Sequence, residues 1–207
     1  MNIAWQLVSQ TDTSLFLTGK AGTGKTTFLR RLKDSLPKRM IVLAPTGVAA
    51  INAHGQTIHS FFQLPLSPFV PGYVQEERRT FYRMSDEKKR MMRSLDLLII
   101  DEISTVRADL LDAVDMELRK YRIHDIPFGG VQLLMIGDLC QLAPVINSED
   151  WKLLSQHYET PYFFSSKALQ KVDYTTIELQ TVYRQEDATF VSLLGKIRQN
   201  NIDQSVI

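Results

Sequence analysis

Lys25 and Thr26 close the run Gly19-Lys20-Ala21-Gly22-Thr23-Gly24, which fits the pattern G-x-x-x-x-G-K-S/T. Glycines in such a run let the backbone curl until successive N–H groups point inward. A helix starting at Lys25 would add its positive dipole end. Lys25 can reach the outer phosphates of a bound nucleotide, and the Thr26 hydroxyl can ligate Mg²⁺. Gly22, Thr23, Gly24, Lys25, Thr26 and Thr27 thus form the cradle of a nucleoside-triphosphate site. Asp101 and Glu102 stand together after the apolar run LDLLII. Asp101 suits a metal ion, and Glu102, aimed differently, suits polarising an attacking water. Gln141, in the loop GDLCQLAPV, is a neutral donor and acceptor suited to sensing a γ-phosphate. Arg184, in VYRQ, could stabilise transition-state charge if the chain returns it to the phosphates.

These residues need a scaffold that brings them together, and the apolar pattern supplies one. Leu15–Thr18, Met40–Ala44, Leu97–Ile100 and Leu133–Ile136 are short, continuous apolar runs, each followed by a candidate chemical residue or a turn. Continuous runs read as strands buried on both faces of a parallel sheet. Between them lie helical patterns at residues 2–10, Phe28–Lys33, Thr46–Ala53 capped by Thr46, Ser85–Arg93 capped by Ser85, and Arg107–Lys120. The last of these reads as amphipathic, from Val106, Leu110, Val114 and Leu118. Tyr162-Phe163-Phe164 and Tyr174–Leu179 are weaker strand candidates, and Asp187 is expected to cap a final helix. Residues 63–80 carry Pro65, Pro68, Pro71 and Gly72 and read as an exposed excursion. The pattern predicts an α/β fold, an open, mostly parallel sheet with helices on both faces. The phosphates should lie at the carboxyl ends of its strands.

Composition narrows the classes. At 207 residues the chain is long enough for a full core. A net charge of +1 leaves any basic face local. Cys140 is the only cysteine, which excludes a disulfide framework and a C-x-x-C metal site. No apolar run approaches the roughly 20 residues that span a bilayer, and the N-terminus has no signal pattern. The expectation is a soluble, intracellular, cytoplasmic protein without a membrane partner.

The segments GKAGTGKT, APTGVAAINAHGQTIHSFF, LLIIDEIS, MIGDLCQLAPV and ELQTVYRQ, in this order, resemble the petite-integration-frequency DNA helicases of superfamily one, cousins of the RecD-type enzymes. The resemblance covers nearly the whole chain. It implies a RecA-like P-loop domain, the first motor domain of an enzyme that uses ATP and Mg²⁺ to move 5′-to-3′ on single-stranded DNA. It also implies action on duplex junctions and G-quadruplexes in DNA repair, recombination and telomere or genome maintenance. The same resemblance makes Gln141 the γ-phosphate sensor, Arg184 the in-domain arginine finger and Tyr183 a stacking partner for adenine. Pro45, Thr46 and Gly47, with His59, Ser60, Phe61 and Phe62 from Thr57–Phe62, would track the DNA strand. Hydroxyls and backbone N–H groups suit phosphates, and rings suit bases. Core packing is the competing reading for Phe61 and Phe62. The family reads adenine with a glutamine upstream of the phosphate loop, a role open here to Asn2 or Gln6. It also has two prolines where this chain has Ala143-Pro144.

The resemblance further implies that residues 64–93 form a wedge. Arg78, Arg79 and Arg83 are the cations expected on DNA, beside Phe81 and Tyr82. A solvated charged helix is the competing reading. The sequence ends before the family's second RecA-like domain, so residues 1–207 are expected to be one motor domain, acting as a monomer. On its own it is expected to bind ATP weakly, to hydrolyse it very slowly and to unwind nothing. Two functional readings stay open, a helicase motor domain and an ATP-switched DNA- or protein-binding module. A small-molecule P-loop kinase lacks an arginine-rich lid and leaves Thr46–Phe62 without a purpose.

Overall fold

Each continuous apolar run becomes a strand of one sheet. The computed structural model describes residues 1–72 and 84–183. In chain order the elements are α1 (Asn2–Gln10), β1 (Ser14–Gly19), α2 (Lys25–Ser35), β2 (Met40–Ala44), α3 (Gly47–Asn52), β3 (Gln56–Thr57) and α4 (Ile58–Phe62). After these come α5 (Asp86–Ser94), β4 (Leu97–Ile100), α6 (Ala108–Arg119), β5 (Gln132–Gly137), α7 (Ser148–Leu154) and β6 (Tyr174–Leu179). The six described strands are ordered β3-β2-β4-β5-β1-β6, and every pairing is parallel. β5 lies between β1 and β4, as the family resemblance implies.

Side chains alternate across this sheet between two apolar layers. Leu15, Leu17, Leu97 and Ile99 pack with α1 and α2 through Ala4, Val8, Phe28, Leu29 and Leu32. Phe16, Leu98, Ile100, Leu133 and Met135 pack on the other side with α4, α5 and α6. Both faces are therefore covered, the reason these strands read as continuous rather than alternating. Caps set the helix starts: the side chains of Thr46 and Ser85 accept from the backbone N–H of Ala49 and Lys88.

Three expectations change. α6 is not a half-exposed amphipathic helix, because Ala108 through Asp115, Glu117 and Leu118 are all buried. The loop at 64–72 and the segment at 158–169 cover its outer side, and its acids anchor them. Tyr162-Phe163-Phe164 is no strand. A 3-10 turn at Phe163–Ser165 drops Phe163 against Phe16, 5.3 Å between ring centroids. Residues 63–72 and 84–93 form an excursion whose ends are not exposed. Leu64 and Met84 are buried, and the Phe69 N–H donates to Asp109 Oδ2 at 3.0 Å. The expected Asp187-capped helix lies outside the described residues.

Arg39 and Asp96 latch the entries to β2 and β4. The Arg39 guanidinium donates to both Asp96 oxygens at 2.9 and 2.7 Å, and the Arg39 N–H donates at 2.9 Å. The hydrogen bonds from Arg39 hold the Asp96 carboxyl down to about 2, from an ordinary 3.8. A carboxylate depressed on folding stabilises the fold above its unfolded pKa, and that contribution disappears as pH falls through the folded value. Asp96→Asn is expected to flatten acid unfolding between pH 3.8 and about 2, measured by circular dichroism, and to leave stability above that window independent of pH at this site.

Candidate nucleotide site and adjoining nucleic-acid surface

The phosphate loop joins β1 to α2 at the carboxyl end of the sheet. Gly19 must be glycine. Its φ is +149°, and a Cβ there would stand 2.6 Å from the Leu179 carbonyl oxygen and 2.8 Å from Thr23 Oγ1. The Thr23 hydroxyl, buried, donates to the Lys20 carbonyl at 2.8 Å and braces the loop from inside. Gly24 is left-handed (φ +94°), and α2 starts at Lys25 with its N–H groups turned to the loop. Lys25 Nζ donates to the carbonyls of Gly19 at 2.6 Å and Lys20 at 3.0 Å. Thr26 and Thr27 are exposed on the first turn of α2.

Neighbouring strands bring the other expected groups to the same edge. Asp101 follows β4, and its Oδ1 accepts from the Glu102 N–H at 3.0 Å. Glu102 adopts a left-handed backbone (φ 53°, ψ 40°), uncommon for glutamate and characteristic of functional turns. Burial raises the pKa of Asp101, opposed by its backbone hydrogen bond and by Lys25. Burial likewise raises Glu102, helped by the charges of Asp101 and Asp138 and opposed by Lys25. Lys25 and three carboxylates therefore share one field.

Asp138, after β5, is buried and shapes the loop that carries Gln141. Its Oδ1 accepts from the Cys140 N–H at 3.0 Å, and its Oδ2 lies 3.5 Å from Gln141 Nε2. The Gln141 N–H donates to the Asp138 carbonyl at 3.0 Å. Sequence reasoning gave Asp138 no role; the signal was an acid at the mouth of a buried strand, as at Asp101. From β6, the Tyr183 N–H donates to the Gly22 carbonyl at 2.9 Å, so the segment leading to Arg184 is tied to the phosphate loop. The Tyr183 ring is exposed. Arg184 lies outside the described residues. Asn2 and Gln6 are exposed on α1. Met1, the residue before Asn2, has its Cε 2.5 Å from where a Cβ would stand on Gly24, so α1 starts beside the phosphate loop.

Among the described residues no group of three or more His, Cys, Asp or Glu could hold a metal unaided. Thr26 and Asp101 fit Mg²⁺ instead, which takes one or two protein oxygens and completes its shell with phosphate oxygens and water. Bound there, Mg²⁺ would neutralise phosphate charge.

The expected DNA-tracking residues divide. Pro45, Thr46 and Gly47 lie at the end of β2, with Thr46 and Gly47 exposed. Ser60 is exposed on α4, and its carbonyl accepts from Lys88 Nζ at 3.0 Å. His59 is half-buried; burial lowers its pKa, and Arg107 lowers it further against the opposing Asp109. Phe61 and Phe62 do not reach the surface. Each is 1% exposed, and their rings meet edge to face at 4.8 Å inside the α6-side core, so the packing reading holds for both. Arg78, Arg79 and Arg83 lie outside the described residues.

A phosphate loop after β1, with carboxylates after the neighbouring β5 and β4, defines a RecA-like nucleotide-binding domain. The family model for PIF1-like helicases matches residues 2–206. The chain belongs to the PIF1-like helicase family. It is 38% identical over 196 residues to the ATP-dependent DNA helicase PIF1 of Saccharomyces cerevisiae, across 92% of this chain and 22% of that protein. A solved structure of Bacteroides Pif1 helicase with ADP-AlF3 and single-stranded DNA superposes with a TM-score of 0.92 at 40% identity, covering 99% of this chain and 47% of that one. A Pif1 structure addressing unwinding at forked duplex DNA by two coordinating helicases gives 0.93 at 40% identity, with 99% and 48% covered. The chain thus spans under half the length of these relatives. No helix among the described residues is long and apolar enough to cross a membrane.

Proposed function

We propose that this chain is the ATP-binding motor domain of a 5′-to-3′ DNA helicase, in which ATP hydrolysis drives movement along single-stranded DNA. One observation carries the reading. Lys25, Asp101, Glu102 and the Asp138–Gln141 loop converge at the carboxyl ends of β1, β4 and β5, in a chain that belongs to a helicase family.

In this reading Lys25 holds the outer phosphates, and Thr26 and Asp101 hold Mg²⁺. Glu102 takes the proton of the attacking water, and Gln141, positioned by Asp138, senses the γ-phosphate. Arg184 stabilises the transition-state charge, and Tyr183, exposed and tethered to the loop, stacks on adenine. Asn2 or Gln6 reads the adenine edge. Thr46, Gly47, His59 and Ser60 face the tracked strand. Forked duplexes and G-quadruplexes are the structures it opens, residues 64–93 acting as the wedge. Its place is inside the cell, with DNA.

Residues 73–83 bring Arg78, Arg79 and Arg83 close together in sequence. Their joint replacement by glutamine is expected to weaken single-strand binding and flatten its salt slope by about two, since each lost phosphate contact removes roughly 0.7. ATP affinity stays unchanged because the phosphate loop is untouched. Fluorescence anisotropy against a labelled oligonucleotide, repeated over a salt series, reads both quantities. An unchanged slope would return these arginines to ordinary surface.

A further inference from the structure

α5 is rich in cations, yet both of its lysines are engaged within the fold. Lys89 pairs with Asp86 at 2.8 Å on the same helix. Lys88, half-buried, reaches across to α4, 28 residues away in sequence. Its ammonium donates to the Ser60 carbonyl at 3.0 Å and to the Phe61 carbonyl at 3.3 Å. It also lies 5.6 Å from the centroid of the Phe61 ring. An ammonium has three donors. Two are spent on carbonyls here, and the charge rests beside a ring.

α4 needs that contact, because its five residues, Ile58–Phe62, cannot satisfy their own terminal groups. Thr57 closes its start, the hydroxyl accepting from the Ser60 N–H at 3.2 Å. At the other end the Leu64 N–H donates to the His59 carbonyl at 3.0 Å, and Lys88 serves the next two carbonyls. Phe61 and Phe62, packed edge to face, fix the buried side. Ser60 therefore has its N–H and its carbonyl both held while the residue stays exposed. Its hydroxyl is the polar group with no partner among the described residues.

We infer that Lys88 is a positioning residue for the tracked strand. It fixes the Ser60 peptide so that the Ser60 hydroxyl meets a DNA phosphate, and it does not itself contact DNA. Hydroxyls are common phosphate partners that set a protein's register on nucleic acid. The inference rests on the proposed tracking of single-stranded DNA by α4. It separates Lys88 from Arg78, Arg79 and Arg83, which are expected on phosphates directly.

The test uses the 207-residue chain, Lys88→Met, Ser60→Ala and the double variant. Methionine keeps an unbranched stem against Phe61 and removes the donors and the charge. Anisotropy with a labelled single-stranded oligonucleotide is read over a salt series, below the melting transition of each protein. Lys88→Met is expected to bind about threefold to tenfold more weakly, the loss of one modest hydrogen bond, with an unchanged salt slope. Ser60→Ala should lose as much, and the double variant no more than Ser60→Ala alone, because the two residues act as one unit. A slope lowered by roughly 0.7 would make Lys88 itself a phosphate contact and overturn the inference. Unchanged affinity in Lys88→Met, or losses that simply add in the double variant, overturn it too. If Ser60→Ala binds as well as the unaltered chain, the inference falls while the proposed function stands. If the unaltered chain binds no single-stranded DNA, both fall.

Discussion

Lys25→Ala is expected to lose most nucleoside-triphosphate binding, whereas Glu102→Gln keeps the binding and loses turnover. Among the described residues, the Lys25 ammonium is the cation at the phosphate loop that shares a field with Asp101 and Glu102, and it already donates to two loop carbonyls. A charge-assisted bond to phosphate is worth about 1.5–3 kcal/mol, so affinity should fall roughly tenfold to a hundredfold. Glu102 has a different part. It sits one residue past the metal carboxylate, on a left-handed backbone. Glutamine preserves its shape and removes the base, which contributes about a hundredfold to ten-thousandfold in rate. Calorimetry separates the two roles. Equal nucleotide affinity in both variants would show that they are wrongly divided.

The second large effect is on stability. Asp112 is buried on α6 and accepts hydrogen bonds at 2.8 Å from Tyr158, at 2.5 Å from Ser166, and at 3.2 and 3.0 Å from the N–H groups of Lys167 and Ala168. It fastens the segment at 158–169 across the outer side of α6. Burial, with the Asp112 carboxylate beside it, pushes the Tyr158 phenol up, so Tyr158 stays a donor across the working range. Asp112→Ala leaves these donors buried without an acceptor, at a cost of roughly 3–5 kcal/mol. For a chain of this size that is a fall in melting temperature of about 6–20 °C. Asp112→Asn, which retains an acceptor oxygen, should fall less. A melting curve for Asp112→Ala within a degree of the unaltered chain would show that the clamp carries no stability.

The sheet was readable because its strands are buried on both faces. LDLLII and VQLLMI leave few other places for such runs, and the first is followed by Asp101 and the second by Gly137-Asp138. The phosphate loop was readable because its glycines meet a geometric need that other residues cannot. α6 was misread for the opposite reason. Its apolar residues step by four, while Asp109, Asp112 and Asp115 step by three, and only the tertiary structure reveals that their partners come from distant residues such as Phe69, Phe128 and Tyr158. Phe61 and Phe62 carry the same lesson. A pair of rings beside a histidine and a serine fits a base-stacking surface and a core equally well in sequence. The core took both because α4 spans only Ile58–Phe62 and packs against the sheet and α6 through its apolar residues.

The central claim is that nucleotide hydrolysis at this site is coupled to DNA. Phosphate release by the 207-residue chain, measured with saturating ATP and Mg²⁺, should rise when a single-stranded oligonucleotide is added. The same addition should leave Glu102→Gln at background. A rate in the unaltered chain that does not change with DNA, or one that Glu102→Gln retains in full, would contradict the account.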